Sequence, residues 1–147
     1  MKTLSDTLLA AHHREEFLTD TVALIERHVA HLSGIKGLGF KTALAAANRA
    51  VPDVIPRGTR RLMPQFLAAL EPLHVQFRAK KHADFSVFFS RNSAQAAELL
   101  LSVTDARFAQ SANAAARSFY KTFRRQVSRE LAKSLPAFGN LIRNYLD

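Results

Sequence analysis

The sequence predicts an all-α fold, a single domain over residues 1–147 formed by a bundle of about six to eight helices, several of them short or kinked by proline. The long segments are rich in Ala, Leu, Arg, Gln and Glu, which favour helices. No segment alternates apolar and polar residues as a half-buried strand does. The chain has the length of one compact domain, and its 48% hydrophobic and 22% charged residues indicate a folded chain.

The N-terminal part is predicted to hold one long helix over residues 12–32. At 100° per residue its apolar side chains fall within one arc of about 80°, which gives the helix one face for the core. Ser33 and Gly34 are predicted to end it, because glycine readily adopts the left-handed conformation of a helix stop. The apolar face consists of Leu18, Val22, Ile25, Val29 and Leu32.

A second helix is predicted through the alanine-rich stretch that ends at Ala50. It is expected to begin through a flexible turn at residues 35–40, which contain Gly37 and Gly39. The next segment is interrupted by prolines, which lack a backbone donor and clash with the preceding turn, so two or three short, kinked helices are predicted there. These prolines are Pro52, Pro56, Pro64 and Pro72.

The C-terminal half is predicted to hold several further helices joined by short connections, which favour antiparallel neighbours. Asp84 and Ser93 are each predicted to cap a helix, because their side chains accept hydrogen bonds from first-turn N–H groups. A long helix is expected over residues 113–134. Pro136 is then expected to open a final helix, since proline fits the first helical position.

The composition bounds the location and the chemistry of the protein. Without cysteine the chain has no disulfide, thiolate nucleophile or cysteine-ligated zinc, which fits a reducing compartment. The N-terminal residues reach charged side chains before any apolar run of signal-peptide length. No stretch approaches the roughly 20 apolar residues of a membrane-spanning helix. These observations predict a cytoplasmic protein without a membrane span.

Four segments spread over nearly the whole chain share a likeness to known sequences. They read LSDTLLA at residues 4–10, MPQF followed by LEP within residues 63–72, LLSVTDAR at residues 100–107 and SLPAFG at residues 134–139. Together they resemble a small family of uncharacterised bacterial all-helical proteins, a domain of unknown function. The resemblance implies a helical domain and supplies neither an assigned activity nor catalytic residues.

Positive charge is concentrated in the middle and C-terminal parts of the chain. Lys and Arg number 21 against 12 Asp and Glu, a net charge of +9. Residues 1–35 carry 3 basic and 5 acidic groups, so the whole excess lies beyond them. Such a field attracts nucleic acid, anionic lipid head groups or an acidic protein surface, and the charge alone does not choose among them.

The helix predicted at residues 113–134 carries the main candidate site, a stripe of basic residues opposite its apolar face. Guanidinium groups at this spacing match phosphate oxygens, so the stripe is predicted to bind an anion. The alternative is an ordinary solvated face. The stripe consists of Arg117, Lys121, Arg124 and Arg125, and Arg129 and Lys133 extend it.

Two further basic groups flank the proline-containing segment. Arg57, Arg60 and Arg61 follow Pro56 near a predicted helix start, where free backbone N–H groups also favour an anion. Here too, solvated arginines near a kink are the alternative. The second group is predicted to complement the negative end of a helix dipole rather than to bind a ligand. It consists of Arg78, Lys80, Lys81 and His82.

Several polar residues are candidates for metal ligands or catalytic groups. His28 and His31 are spaced i, i+3, but no third ligand has suitable spacing, so no metal and no cofactor is predicted. Asp105 is predicted to have a structural role, either accepting backbone hydrogen bonds or pairing with a buried arginine. None of the common phosphate-loop, nucleophile-elbow, dinucleotide or zinc-helix motifs occurs.

The leading hypothesis is a non-catalytic binding or interaction module that holds an anionic partner, a protein or a nucleic acid, on the basic face. The alternative is a carrier of a small apolar or lipid-like molecule in a cavity lined by some of the 11 phenylalanines, which otherwise form the core. A third possibility is an enzyme whose His28, His74 and Asp105 converge only in three dimensions. The sequence leaves the oligomeric state open.

Overall fold

A computed structural model describes residues 2–80 and 84–146, without the side chains of Lys36 and Ala50. These ranges contain seven α-helices and no strand, which confirms the predicted all-α bundle. None of the described helices has an apolar stretch long enough to cross a lipid bilayer. The helices are α1 (Leu4–Leu8), α2 (Arg14–Ala30), α3 (Gly34–Ala50), α4 (Val54–Ala79), α5 (Phe85–Arg91), α6 (Ser93–Ala109) and α7 (Ala114–Tyr145).

Helix α7, with 32 residues and a length of about 48 Å, is the element on which most of the others pack. Helix α2 runs antiparallel to it, because Phe17 contacts Tyr145 at one end and His28 contacts Glu130 at the other. Helices α5 and α6 also run antiparallel to α7, because residues later in each of them contact residues earlier in α7. The antiparallel arrangement predicted for helices joined by short connections is therefore confirmed for the consecutive pair α6 and α7.

The core lies where α1, α2, α4, α5, α6 and α7 meet. Helix α4 contributes a continuous buried stripe at helical spacing, and α5 contributes three buried phenylalanines. Gly139 allows α5 to pack closely on α7, since a side-chain carbon at this position would lie 3.0 Å from the ring of Phe89. The most deeply buried core side chains are Leu4, Leu8, Phe17, Met63, Leu67, Leu70, Leu73, Phe89, Leu135 and Ile142.

The prediction that prolines divide the chain into short helices is wrong. Pro64 and Pro72 lie inside the continuous helix α4, and Pro136 lies inside α7 instead of opening a separate final helix. All three prolines are exposed, and so are the residues four positions earlier, whose carbonyls lose their intrahelical donor and are left to water. Each proline has a buried apolar neighbour, Met63, Leu73 or Leu135, and the burial of these side chains holds the helices together through the lost bonds.

Of the two helix caps predicted, one is present and one is not. The Asp84 side chain accepts hydrogen bonds from Ser86 N and Val87 N, as predicted, and Asn113 caps α7 in the same way. Ser93 does not cap α6, because Asn92 ends α5 and precedes α6 at once and leaves no extended cap position. The cap predicted at Ser93 is therefore wrong.

The turn predicted between the first two long helices is shorter than expected. Gly34 has φ +78°, the left-handed conformation predicted for it, and α3 begins at that same residue. Residues 35–40 are helical, so the flexible turn predicted there is wrong. The two glycines inside this stretch are tolerated because a helix loses only about 1 kcal/mol at each of them relative to alanine.

Candidate anion-binding face

The exposed side of α7 carries a cation at every fourth position over residues 117–133. Successive cations are about 6 Å apart along the helix axis, and the whole row is about 24 Å long. Like charges at this spacing repel by about 0.2–0.5 kcal/mol per pair, so the four steps cost the helix roughly 1–2 kcal/mol, which a bound anion would relieve. This α7 row consists of Arg117, Lys121, Arg125, Arg129 and Lys133, all exposed.

The three central cations of the α7 row are available to a ligand. Among the described residues, no carboxylate lies within 4.0 Å of Lys121, Arg125 or Arg129. The end members are engaged, since Arg117 Nη1 donates to the carbonyl of Ser111 and Lys133 Nζ lies 3.6 Å from a carboxylate oxygen of Glu130. An anion would therefore bind mainly to the three central cations of the row.

Arg124, predicted to belong to the anion-binding stripe, is instead held by a carboxylate. Its Nε and Nη2 each donate to Asp105 over 2.8 Å, and the Tyr120 hydroxyl donates to the same carboxylate over 2.6 Å. The stacked rings of Phe108 and Tyr120, 4.3 Å apart, lie beside this network. Asp105 thus pairs with an arginine, as predicted, although Arg124 is half-exposed rather than buried. The network fixes α7 on α6.

The network shifts the pKa of each member in the expected direction. The hydrogen bonds from Arg124, together with the one from Tyr120, lower the pKa of Asp105, and Asp105 raises the pKa of Arg124. Burial and the hydrogen bond to Asp105 raise the pKa of Tyr120 to about 12. The neutral phenol is therefore favoured in the folded protein, so its contribution to stability is complete below the unfolded pKa of about 10 and declines as the pH rises towards 12.

Spectrophotometric titration at 295 nm checks this network, because the chain has two tyrosines and no tryptophan. In a Tyr145→Phe variant the phenolate signal of Tyr120 is expected to reach its midpoint near pH 12. Adding Asp105→Asn should move the midpoint towards 10, since the charge that favours the neutral phenol is gone. Circular dichroism at each pH monitors the fold, and a midpoint near 10 with the carboxylate present would contradict the network.

The second candidate group lies on α4, and one of its arginines is paired with a carboxylate of α2. Arg60 donates to both carboxylate oxygens of Glu15, over 3.0 and 2.6 Å, which ties α4 to α2. Arg57 and Arg61 are exposed, and the described residues offer them no carboxylate within 4.0 Å. No hydrogen bond or ion pair of the described residues joins this group to the α7 row, and anion binding by it stays a prediction.

The third basic group is only partly described, since Lys81 and His82 lie outside the described residues. Arg78 is in the last turn of α4, as the predicted dipole role requires. Its Nη1 also donates to the carbonyl of Lys2 over 2.7 Å, so it additionally fastens the N-terminal segment. Lys80 Nζ lies 5.7 Å above the ring of Phe88.

The three candidate residues of a dispersed active site each have separate partners. His28 contacts Glu130 at 2.8 Å, and His74, which is buried, contacts Glu71 at 3.1 Å. Asp105 is held by Arg124 and Tyr120, and no hydrogen bond, ion pair or cavity among the described residues joins any two of these three side chains, so a shared site is not found. His31 Nδ1 donates to the carbonyl of Arg27 in its own helix. Within the described ranges no three metal-binding side chains form a cluster.

The phenylalanines pack on one another rather than around a void. Phe85 lies 5.1 Å from Phe77 and 5.5 Å from Phe89, measured between ring centres, and Phe89 in turn contacts Phe138. Five cavities among the described residues have no phenylalanine in their walls. The core role predicted for these residues is confirmed, and no described contact favours the carrier hypothesis.

Sequence reasoning missed Gln126, which lies about 180° around α7 from Arg117. Its side chain is only 9% exposed and lies in the wall of a cavity of about 370 Å³ beside Arg129. The available signal was a polar amide at the border between the C-terminal end of the row and the apolar face of α7. The cavity itself joins α2, α3 and α7 and could not be inferred from one helix.

The fold and this face define a class of protein, a basic all-α bundle whose longest helix presents a row of cations, of which the central three have no carboxylate partner among the described residues. The chain belongs to the family of unknown function DUF6918, which matches residues 4–146. This match confirms the family resemblance seen in the four sequence segments, whereas the bacterial origin stays a prediction. Comparisons with curated proteins and with solved structures found no match.

Proposed function

We propose that the protein is a non-catalytic binding module that holds a nucleic-acid backbone along the α7 row. The observation that carries this proposal is the run of cations at every fourth residue, whose central members Lys121, Arg125 and Arg129 have no carboxylate partner among the described residues. The repulsion within the row is a cost that a polyanion removes.

A nucleic acid suits this row better than an acidic protein surface does. Its phosphates carry charge at short, regular intervals, so the three central cations, which span about 12 Å along α7 and about 80° around it, can contact more than one of them at once. Arginine adds planar, two-pronged hydrogen bonding to phosphate oxygens. Contacts of this kind position the strand without reading bases, so we expect little sequence preference.

The row is also rigid enough to bind without a large ordering cost. Arg124 and Asp105 form a two-pronged ion pair on the side of α7 that faces α6, and Tyr120 adds a hydrogen bond to it. The helix is thereby fixed before a ligand arrives, and only the cationic side chains themselves must be ordered on binding.

Salt dependence tests the proposal directly. Fluorescence anisotropy of a labelled 20-base-pair duplex of mixed sequence should show binding that weakens by about 40-fold between 50 and 200 mM NaCl if the three central cations neutralise three phosphates. A single strand of the same length should show a shallower slope. No binding at 50 mM, or affinity independent of salt, would contradict the proposal and favour an acidic protein partner.

A further inference from the structure

A cavity of about 370 Å³ lies beside the C-terminal half of the α7 row, between the end of α2, the first turn of α3 and α7. Arg129 and Lys133 belong to both the row and the wall of this cavity. The opposite wall includes Ser33 and Gly37 from the start of α3. The cavity therefore joins cationic side chains to a helix N-terminus.

The start of α3 supplies backbone donors. Ser33 precedes this 17-residue helix but its side chain makes no capping hydrogen bond. The first-turn N–H groups, such as those of Gly34 and Ile35, have no acceptor within their own helix, and the helix dipole adds partial positive charge at the same end. An anion is the natural ligand of such a terminus.

Gln126 is an independent observation that points to a ligand. Its side chain is 9% exposed, it lies in the cavity wall, and no described residue hydrogen-bonds its amide. The amide NH₂ provides two donors, which an oxyanion in the cavity would satisfy.

The charge balance of the cavity favours an anion despite one carboxylate in its wall. Glu130 is held by His28 at 2.8 Å on one oxygen and by Lys133 at 3.6 Å on the other. Its charge is therefore compensated within the protein. Arg129, which has no described carboxylate partner, and the start of α3 leave the cavity with a positive excess.

We infer that this cavity binds a phosphate-type oxyanion, a phosphomonoester carried either by the end of a nucleic-acid strand or by a small molecule. The inference goes beyond the proposed function, because Gln126 and α3 do not belong to the α7 row. Arg129 and the amide of Gln126 would contact the oxyanion from α7, and Ser33 at the start of α3 would contact it from the other side.

Titration with inorganic phosphate tests the site, followed by ¹⁵N NMR with sodium chloride at equal ionic strength as the control. The side-chain amide of Gln126 and the backbone amides of Gly34 and Gly37 are expected to shift in a saturable way with phosphate alone. Gln126→Leu and Gln126→Glu should each weaken phosphate binding at least about tenfold, because one loses the donors and the other adds a negative charge. Equal shifts in chloride, or unchanged binding in both folded variants, would overturn the inference.

Two comparisons separate this inference from the proposed function and identify the source of the phosphate. A Lys121→Glu, Arg125→Glu variant should keep the phosphate-induced shifts while it loses the duplex, and a loss of these shifts would overturn the independence of the cavity. An oligonucleotide with a 5′-phosphate that binds more tightly than its 5′-hydroxyl form in wild type, but not in Gln126→Leu, assigns the site to a strand end. Equal affinity of the two forms assigns it to a small phosphorylated molecule.

Discussion

Reversing the two central charges of the α7 row, with Lys121→Glu and Arg125→Glu, is expected to weaken duplex binding at least about 100-fold at 100 mM salt. Two phosphate contacts are lost and two repulsive contacts replace them, and a change of about 1.4 kcal/mol in binding free energy already gives tenfold. Both side chains are exposed and neither has a described carboxylate partner, so the fold should be unaffected. Anisotropy titration measures the affinity, and circular dichroism checks the helix content.

The matched control makes the same change of net charge elsewhere. Arg57→Glu with Arg61→Glu also removes two exposed cations and adds two acids, but on α4. We expect it to weaken binding less than about fivefold, through the general field alone. An equal loss in both variants would bring the α4 group into the binding site, and no loss in the α7 variant would exclude the row.

The choice of the α7 pair, rather than Arg124, rests on what the structure adds to the sequence. The periodicity of a regular helix was sufficient to predict which residues share the basic face, since exposure in α7 follows that periodicity. It was insufficient to show that Arg124 is already neutralised by Asp105, 19 residues away, or Arg60 by Glu15, 45 residues away. Such pairings depend on how helices pack, which one-dimensional spacing does not contain.

The local rules also failed where tertiary burial outweighs them. Proline is a strong helix breaker on its own, yet Pro64 and Pro136 sit on the solvent side of helices whose other faces are buried. Side-chain caps at Asp84 and Asn113 were predictable because a cap needs only its own backbone and the next turn. The cavity at Gln126 needed three helices from distant parts of the chain, and no local pattern specifies it.

The largest expected effect on stability is at Phe89, whose side chain is 1% exposed. Its ring contacts Phe85 and Phe138 and lies against the backbone of α7 at Gly139. Phe89→Ala removes the ring and leaves a cavity that rigid neighbours on two helices cannot fill, so the free energy of unfolding should fall by about 3–5 kcal/mol. Since domains have only about 5–15 kcal/mol in total, much of the stability would be lost.

Urea unfolding followed by circular dichroism measures this loss, and Val87→Ala is the matched control in the same helix. Val87 is 48% exposed, so its truncation should cost about 0.5 kcal/mol or less. A loss below about 1 kcal/mol at Phe89 would mean that α5 does not pack on α7 as described. Because Phe89 does not contact the α7 row, the folded fraction of the variant should bind a duplex with wild-type affinity, which separates the requirement for the core from the requirement for the cations.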